Sequence, residues 1–174
     1  MSVSTKLPLE FYTRDVLSVA PELPGKTLTV RMPGGEIVRN VITEVEAYRG
    51  SEDKACHASK GRTARTEIMY HEGGNLYMYL IYGMYWMLNI VTGKEDEPQA
   101  ILVRGAGIMN GPGKLTKSLG IDRSFYGESL VKSGRIWIED TGLHPEVLRS
   151  PRIGIDYAGE YWKSRLWRYY TVLR

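Results

Sequence analysis

The residues best equipped for chemistry fall in one ordered series: Glu44, Glu46 and Tyr48 at alternate positions, then His57, a tyrosine-rich run ending near Asn89, and Arg104. Together they offer a carboxylate, flat aromatic faces that can stack on a planar ligand, and a fixed cation. If the segment around Glu46 is extended, Glu44, Glu46 and Tyr48 project from one face while Val45 and Ala47 project from the other. Arg104 can serve the carboxylate only if its strand is a neighbour. Each element also has an ordinary structural use, since alternating glutamates line half-exposed strands and tyrosines line core edges.

The surrounding pattern supplies a frame for these groups. Pro8 suits the first turn of a helix, and Leu9, Tyr12, Val16, Leu17 and Ala20 form a helical stripe that Pro21 ends. Residues 27–32 and 36–48 flank Pro33-Gly34-Gly35 and predict a β-hairpin with a long second arm. Ser51 ahead of Glu52 and Asp53 predicts a short capped helix carrying Cys56 and His57 toward its end. The run from Asn75 to Val91 is rich in strand formers and breaks at Tyr82-Gly83, so it predicts a second hairpin with an aromatic tip. Residues 100–104, 135–139, 152–155 and 168–173 predict further strands, and 112–119 a short helix. Many strands with few helices in mixed order predict an α+β fold: a single domain over residues 1–174, with a curled, largely antiparallel sheet, short helices around it and the aromatic hairpin protruding.

Composition narrows the class. At about 100–200 residues per domain, 174 residues suit one domain with its own core. A hydrophobic fraction of 43% and a charged fraction of 25% exclude disordered and fibrous classes. The lone Cys56 excludes a disulfide framework and predicts a reducing compartment, the cytoplasm. Residues 1–8 hold no apolar core of a secretory signal, and the uncharged run 76–91 is shorter than the ~20 residues a membrane helix needs. The net charge of +3 is mild but unevenly placed. His57 to Arg65 holds Lys60, Arg62 and Arg65 with no acid, Glu95-Asp96-Glu97 forms an acidic knot, and the tail carries Lys163, Arg165, Arg168 and Arg174.

Competing motifs fail on inspection. The strand ending in Gly105-Ala-Gly107 resembles a dinucleotide-binding turn, but Asn110 replaces the third glycine, and Gly111-Pro112-Gly113 interrupts the helix that should follow. Gly113-Lys114 lacks the spacing and the following Ser or Thr of a phosphate-binding loop. Three histidines and one cysteine show no zinc-like spacing, so neither a metal nor a cofactor is expected.

Taken in order, the series resembles the alkyladenine (3-methyladenine) DNA glycosylase family. Glu44-x-Glu46-x-Tyr48-x-Gly50-x-Glu52-Asp53-x-Ala55-x-His57 is similar to its active-site stretch, and Leu76 to Tyr85 with Asn89 to its intercalating hairpin. Ile101 to Arg104, Gly111 to Leu115, and Arg152 to Ile155 with Ala158-Gly159 follow at fitting spacings. The resemblance implies a monofunctional enzyme of base-excision repair. It would flip alkylated or deaminated purines out of double-stranded DNA and hydrolyse the N-glycosidic bond. It further implies Glu46 as general base for an attacking water, Arg104 keeping that carboxylate charged, and the Ile153 carbonyl touching the water. Tyr79 would stack on one face of the base, and Tyr48 with His57 on the other, with cation–π attraction favouring charged alkylated rings. Asn89 would exclude guanine by clashing with its 2-amino group. Tyr82 would fill the gap that the base leaves, and Tyr77 and Tyr85 would support the hairpin. Lys60, Arg62, Arg65, Lys114 and the basic tail would contact phosphates. A monomer associated with a bacterial nucleoid is the expected setting. Between Arg104 and Gly111 the chain has six residues where family members carry a longer helical insertion. A glycosylase-lyase acting through a lysine Schiff base, or a non-catalytic binding module for RNA or damaged DNA, are the alternatives; the latter has no use for a water-activating carboxylate.

Overall fold

The computed structural model describes residues 3–173. Its elements run β1 (Thr5–Lys6), α1 (Leu9–Tyr12), α2 (Val16–Val19), β2 (Thr27–Arg31), β3 (Ile37–Tyr48), β4 (Leu76–Ile81), β5 (Tyr85–Thr92), β6 (Gln99–Ala106), β7 (Met109–Asn110), α3 (Pro112–Leu119), β8 (Ile136–Asp140), β9 (Leu148–Ser150), α4 (Glu160–Lys163) and β10 (Arg168–Tyr170). The strands form one sheet in the order β1-β8-β2-β3-β6-β5-β4, with β10 joining β3 to β9 and β7 joining β6. Every pairing is antiparallel. This is the expected α+β class, a large antiparallel sheet with few short helices.

The long β3 organises the site. Its first half pairs with β2, and residues 44–46 lie between β6 and β10. Val45 and Ala47 enter the main core with Ile42, Ile101 and Val103, so period-two alternation turns Glu44, Glu46 and Tyr48 to the other face. The register against β6 shifts twice: Thr43 is unpaired on β3, and Arg104 is unpaired on β6 between Val103 and Gly105. Such bulges re-aim a side chain, and this one turns Arg104 toward both glutamates.

The tyrosine hairpin is β4 and β5, joined through Tyr82 and Gly83, both with positive φ. Near its tip it is tied to α3 by a hydrogen bond from Thr116 Oγ1 to the Trp86 carbonyl at 2.8 Å. Helix α3 has Pro112 in its first turn and ends at Gly120 in the left-handed region, burying Leu115 and Leu119. The six residues after Arg104 close the tight β6–β7 hairpin, and Gly111 N–H returns to the Arg104 carbonyl at 2.8 Å.

Three local expectations are corrected. The single helix over residues 9–20 is two short ones, because Asp15 accepts a hydrogen bond from Leu17 N–H and starts α2 afresh. Residues 51–56 form turns, because the Asp53 carboxylate takes the N–H groups of Arg49 and Ala55 that a helix would have oriented elsewhere. Residues 152–155 are not a strand: Ile153 N–H bonds a side chain and Gly154 has φ +73°, so strand pairing falls at β9 instead.

Close backbone approach makes Gly73 a sensitive position. Gly73 N–H donates to Gly93, Gly93 N–H donates to Tyr12, and a Cβ on Gly73 would overlap the Tyr12 carbonyl. Gly73→Ala is expected to cost about 1–3 kcal/mol, read as a lower urea midpoint; an unchanged midpoint would show that the segment yields freely. Among the described residues no helix is long and apolar enough to cross a membrane.

Candidate active site

Glu46 is the buried charge around which the site is built; it has no exposed surface. Its Oε2 accepts from Ile153 N–H at 2.6 Å, and its Oε1 accepts from the Tyr48 hydroxyl at 3.0 Å and Arg104 Nη1 at 3.5 Å. Burial pushes the carboxyl above the ordinary glutamate range, while the Arg104 charge, the Ile153 N–H, the Tyr48 hydroxyl and Arg152 pull it back. Arg104 is itself anchored, its Nε donating to Glu44 Oε1 at 3.2 Å. The same oxygen accepts from Arg168 Nε at 2.6 Å, and Arg168 reaches Ser150 Oγ at 2.8 Å. Two carboxylates and two guanidiniums thus alternate across β6, β3 and β10.

Beside Glu46 opens a cleft with about 330 Å³ of empty space, lined by Tyr48, His57, Tyr77, Tyr79, Asn89 and Tyr157 among others. Tyr48 links the two parts, its ring in the wall and its hydroxyl on the carboxylate. The rings of His57 and Tyr79 meet edge to face with centroids 4.5 Å apart. A base sandwiched between two rings needs about 7 Å, twice the ~3.4 Å base step, so these rings must part to admit one between them. His57 Nδ1 shares a hydrogen bond with the Tyr77 hydroxyl at 2.8 Å. Burial, then Arg65 and Lys60, lower the His57 pKa to about 4, so its imidazole is neutral at pH 7. Asn89 Nδ2 donates to the Tyr77 and Met87 carbonyls, both at 3.2 Å, which fixes the amide in the cleft wall. Cys56 also lines the cleft, and burial pushes its thiol up to about 11. Among the described residues no group of three His, Cys, Asp or Glu side chains is placed to hold a metal.

Comparison with known proteins decides the family. The family model described as "Methylpurine-DNA glycosylase (MPG)" matches residues 10–110 and 106–173. The chain belongs to the methylpurine-DNA glycosylase family. It is 43% identical to a protein of Methanocella arvoryzae over 94% of this chain and 91% of that one. It is 42% identical to one of Psychrobacter cryohalolentis over 96% and 92%, and 43% identical to one of Sodalis glossinidius over 99% and 100%. Each of the three bears the name "Putative 3-methyladenine DNA glycosylase".

For a methylpurine-DNA glycosylase family member, the folded chain gathers Glu46, Tyr48, His57, Tyr79, Asn89, Arg104 and the Ile153 backbone in one place. Ile153 sets its backbone N–H on the Glu46 carboxylate, a contact the sequence does not announce, and its side chain is half exposed. Tyr82 stands apart at the hairpin tip with 87% of its surface exposed. Lys114 is exposed near the tip end of the hairpin, where Gly113 packs on the Tyr85 ring, and it touches Asn110 Oδ1 at 3.3 Å. Lys60 and Arg65 are exposed, with the Arg65 guanidinium 5.4 Å from the Tyr79 ring centroid.

Arg62 pairs with Glu67 at 2.6 Å and with Asp96 at 3.0 Å, so one cation of the basic run meets one carboxylate of the acidic knot in space. The tail is likewise engaged: Lys163 pairs with Asp156 and Glu160, and Arg168 with Glu44, while Arg174 lies outside the described residues. Tyr77 does more than support the hairpin, because it bonds His57 in the cleft wall. Asp53 and Arg152 form a buried pair beneath the site. Their only sequence signal was membership in the matched stretches.

Proposed function

We propose that this protein excises alkylated or deaminated purines, of the 3-methyladenine, 7-methylguanine, hypoxanthine and ethenoadenine class, from double-stranded DNA. Glu46 carries the proposal: a fully buried carboxylate, held by Arg104 and a backbone N–H, adjoins a cleft of aromatic rings. The damaged base rotates out of the helix and enters that cleft, with Tyr79, Tyr48 and His57 supplying faces for stacking worth about 1–3 kcal/mol per base. Glu46 accepts a proton from water, the water oxygen attacks C1′ of the deoxyribose, and the C1′–N bond breaks with its electron pair leaving on the base. Arg104 and the Ile153 N–H keep Glu46 ionised, the form that can accept the proton. A neutral His57 places no positive charge against a base already cationic from alkylation.

Asn89 clashes with the 2-amino group and so disfavours unmodified guanine, a penalty that the weakened glycosidic bond of cationic 7-methylguanine offsets. Tyr82 enters the stack vacated by the base. Lys60, Arg65 and Lys114 meet phosphates, whereas Arg62 braces its own loop. The whole chain acts as one catalytic unit, as a monomer, in the cytoplasm beside the nucleoid. The direct test offers duplexes bearing one modified purine each and scores abasic sites by alkaline strand cleavage. Abasic product from the modified duplexes alone supports the reading; no product from any of them overturns it. Breakage without alkali and a borohydride-trapped adduct would mean a lyase.

Loss of the wedge should weaken extrusion alone. Tyr82→Ser is expected to reduce the flipped fraction of an ethenoadenine duplex about 5–100-fold, the equivalent of one lost stacking contact. Fluorescence of the flipped base reads this directly, and an unchanged flipping equilibrium would remove Tyr82 from that role.

A further inference from the structure

Behind the carboxylate lies a sealed ion pair. Asp53 and Arg152 have no exposed side-chain surface. Arg152 Nη1 donates to Asp53 Oδ2 at 2.6 Å and Nη2 to Oδ1 at 3.0 Å. The same guanidinium donates to the Ala47 carbonyl at 3.0 Å and the Trp162 carbonyl at 3.4 Å. Its Cζ lies 4.8 Å from the Tyr48 ring centroid and 4.9 Å from that of Trp167. Asp53 in turn accepts from the N–H groups of Arg49 and Ala55. One pair therefore ties together the end of β3, the turn leading to His57, the turn after β9, and α4.

Stability alone is a weak reason for such a pair, because apolar residues of similar volume often serve as well once desolvation is counted. Its placement gives a stronger reason. Arg152 is bonded to Ala47, the neighbour of Glu46, and the residue following Arg152 is Ile153, whose N–H holds Glu46 Oε2. We propose that Asp53 and Arg152 are positioning residues for the reaction: by clamping the 151–155 turn to the end of β3, they fix the Ile153 N–H on the general base. The proposal rests on the glycosylase reading above and deepens it.

The groups facing Glu46 are few. Arg104 comes from β6, Tyr48 and Glu44 from β3 itself, Arg168 from β10, Tyr79 from β4, and Arg152 and Tyr157 from the turns after β9. Of these, Arg152 acts both by its charge and through the backbone bond that it steadies. Both effects favour the ionised carboxylate, so loss of the clamp must move the protonation of Glu46 toward higher pH.

The experiment is the pH dependence of single-turnover excision. Three changes are compared with the parent: Asp53→Leu with Arg152→Met, Arg152→Lys, and replacement of the Ile153 amide by an ester that lacks the N–H. Each is expected to raise the midpoint of the acid limb by about one pH unit, a roughly tenfold loss below it. Arg152→Lys keeps the charge, so a shift there reports geometry. An unmoved limb in the ester or in any folded variant overturns the proposal. Hydrogen exchange in the unmodified protein tests it without any substitution: the Ile153 N–H should be protected, and exchange as fast as an exposed loop amide overturns it too. The parent protein separates the two ideas, since no excision by it sinks the glycosylase reading, whereas excision with an unmoved limb sinks only the clamp.

Discussion

Glu46→Gln is expected to slow single-turnover excision of a damaged purine by about 10²–10⁴-fold while duplex affinity changes little. The substitution keeps shape and removes only the capacity to accept a proton. A glutamine carbonyl can face the Ile153 N–H and its amide can donate to the Tyr48 hydroxyl oxygen, so only the long 3.5 Å contact from Arg104 Nη1 loses its acceptor. The same change should raise stability. Burial holds the folded-state pKa of Glu46 above its unfolded value. Its contribution is therefore fully present below the unfolded pKa of about 4.3 and is lost as pH rises through the folded pKa. At pH 7 the ionised group is a net cost, which glutamine removes. The variant should melt higher than the parent at pH 7, with the gap closing as pH falls toward 4. Parental excision rates in Glu46→Gln would end the general-base assignment.

Asp53→Asn should have the largest effect on stability. It leaves the Arg152 guanidinium buried without its carboxylate, a loss of about 3–5 kcal/mol. At about 2–4 °C per kcal/mol for a chain of this length, the melting temperature should fall by roughly 6–20 °C. Replacing both partners, Asp53→Leu with Arg152→Met, should recover much of that loss because no orphaned charge remains. Thermal melts of the two variants and the parent decide the matter. A single substitution as stable as the parent would mean that water reaches Arg152, against its complete burial.

Local signals in the sequence were reliable where chemistry acts over a few residues. The Tyr82-Gly83 break gave the hairpin tip because the turn demands positive φ at both positions, and the alternation around Glu46 gave the strand faces. Errors arose where a distant partner captured a local group. Asp53 looked like part of a capped helix, but its carboxylate holds turn amides and Arg152 across 99 residues of chain. Arg62 sits in an acid-free run, yet it pairs with Glu67 just beyond that run and with Asp96, 34 residues away. The bulge at Arg104 has no signature in one strand, since it exists only in the register between two. The identities of Glu46, Tyr48, His57, Asn89 and Arg104 were legible through the family resemblance. The use of the Ile153 N–H was not, because a backbone donor has no letter of its own.

Cys56 carries a consequence of a different kind. On the proposed function, the cleft works in surroundings in which small electrophiles are present, and thiolates are the side chains they attack most readily. The only cysteine of the chain lines that cleft, yet burial pushes its pKa to about 11, so at pH 7 about one molecule in 10⁴ carries the reactive anion. The protein thus keeps its single thiol protonated beside the cleft, out of its most reactive form.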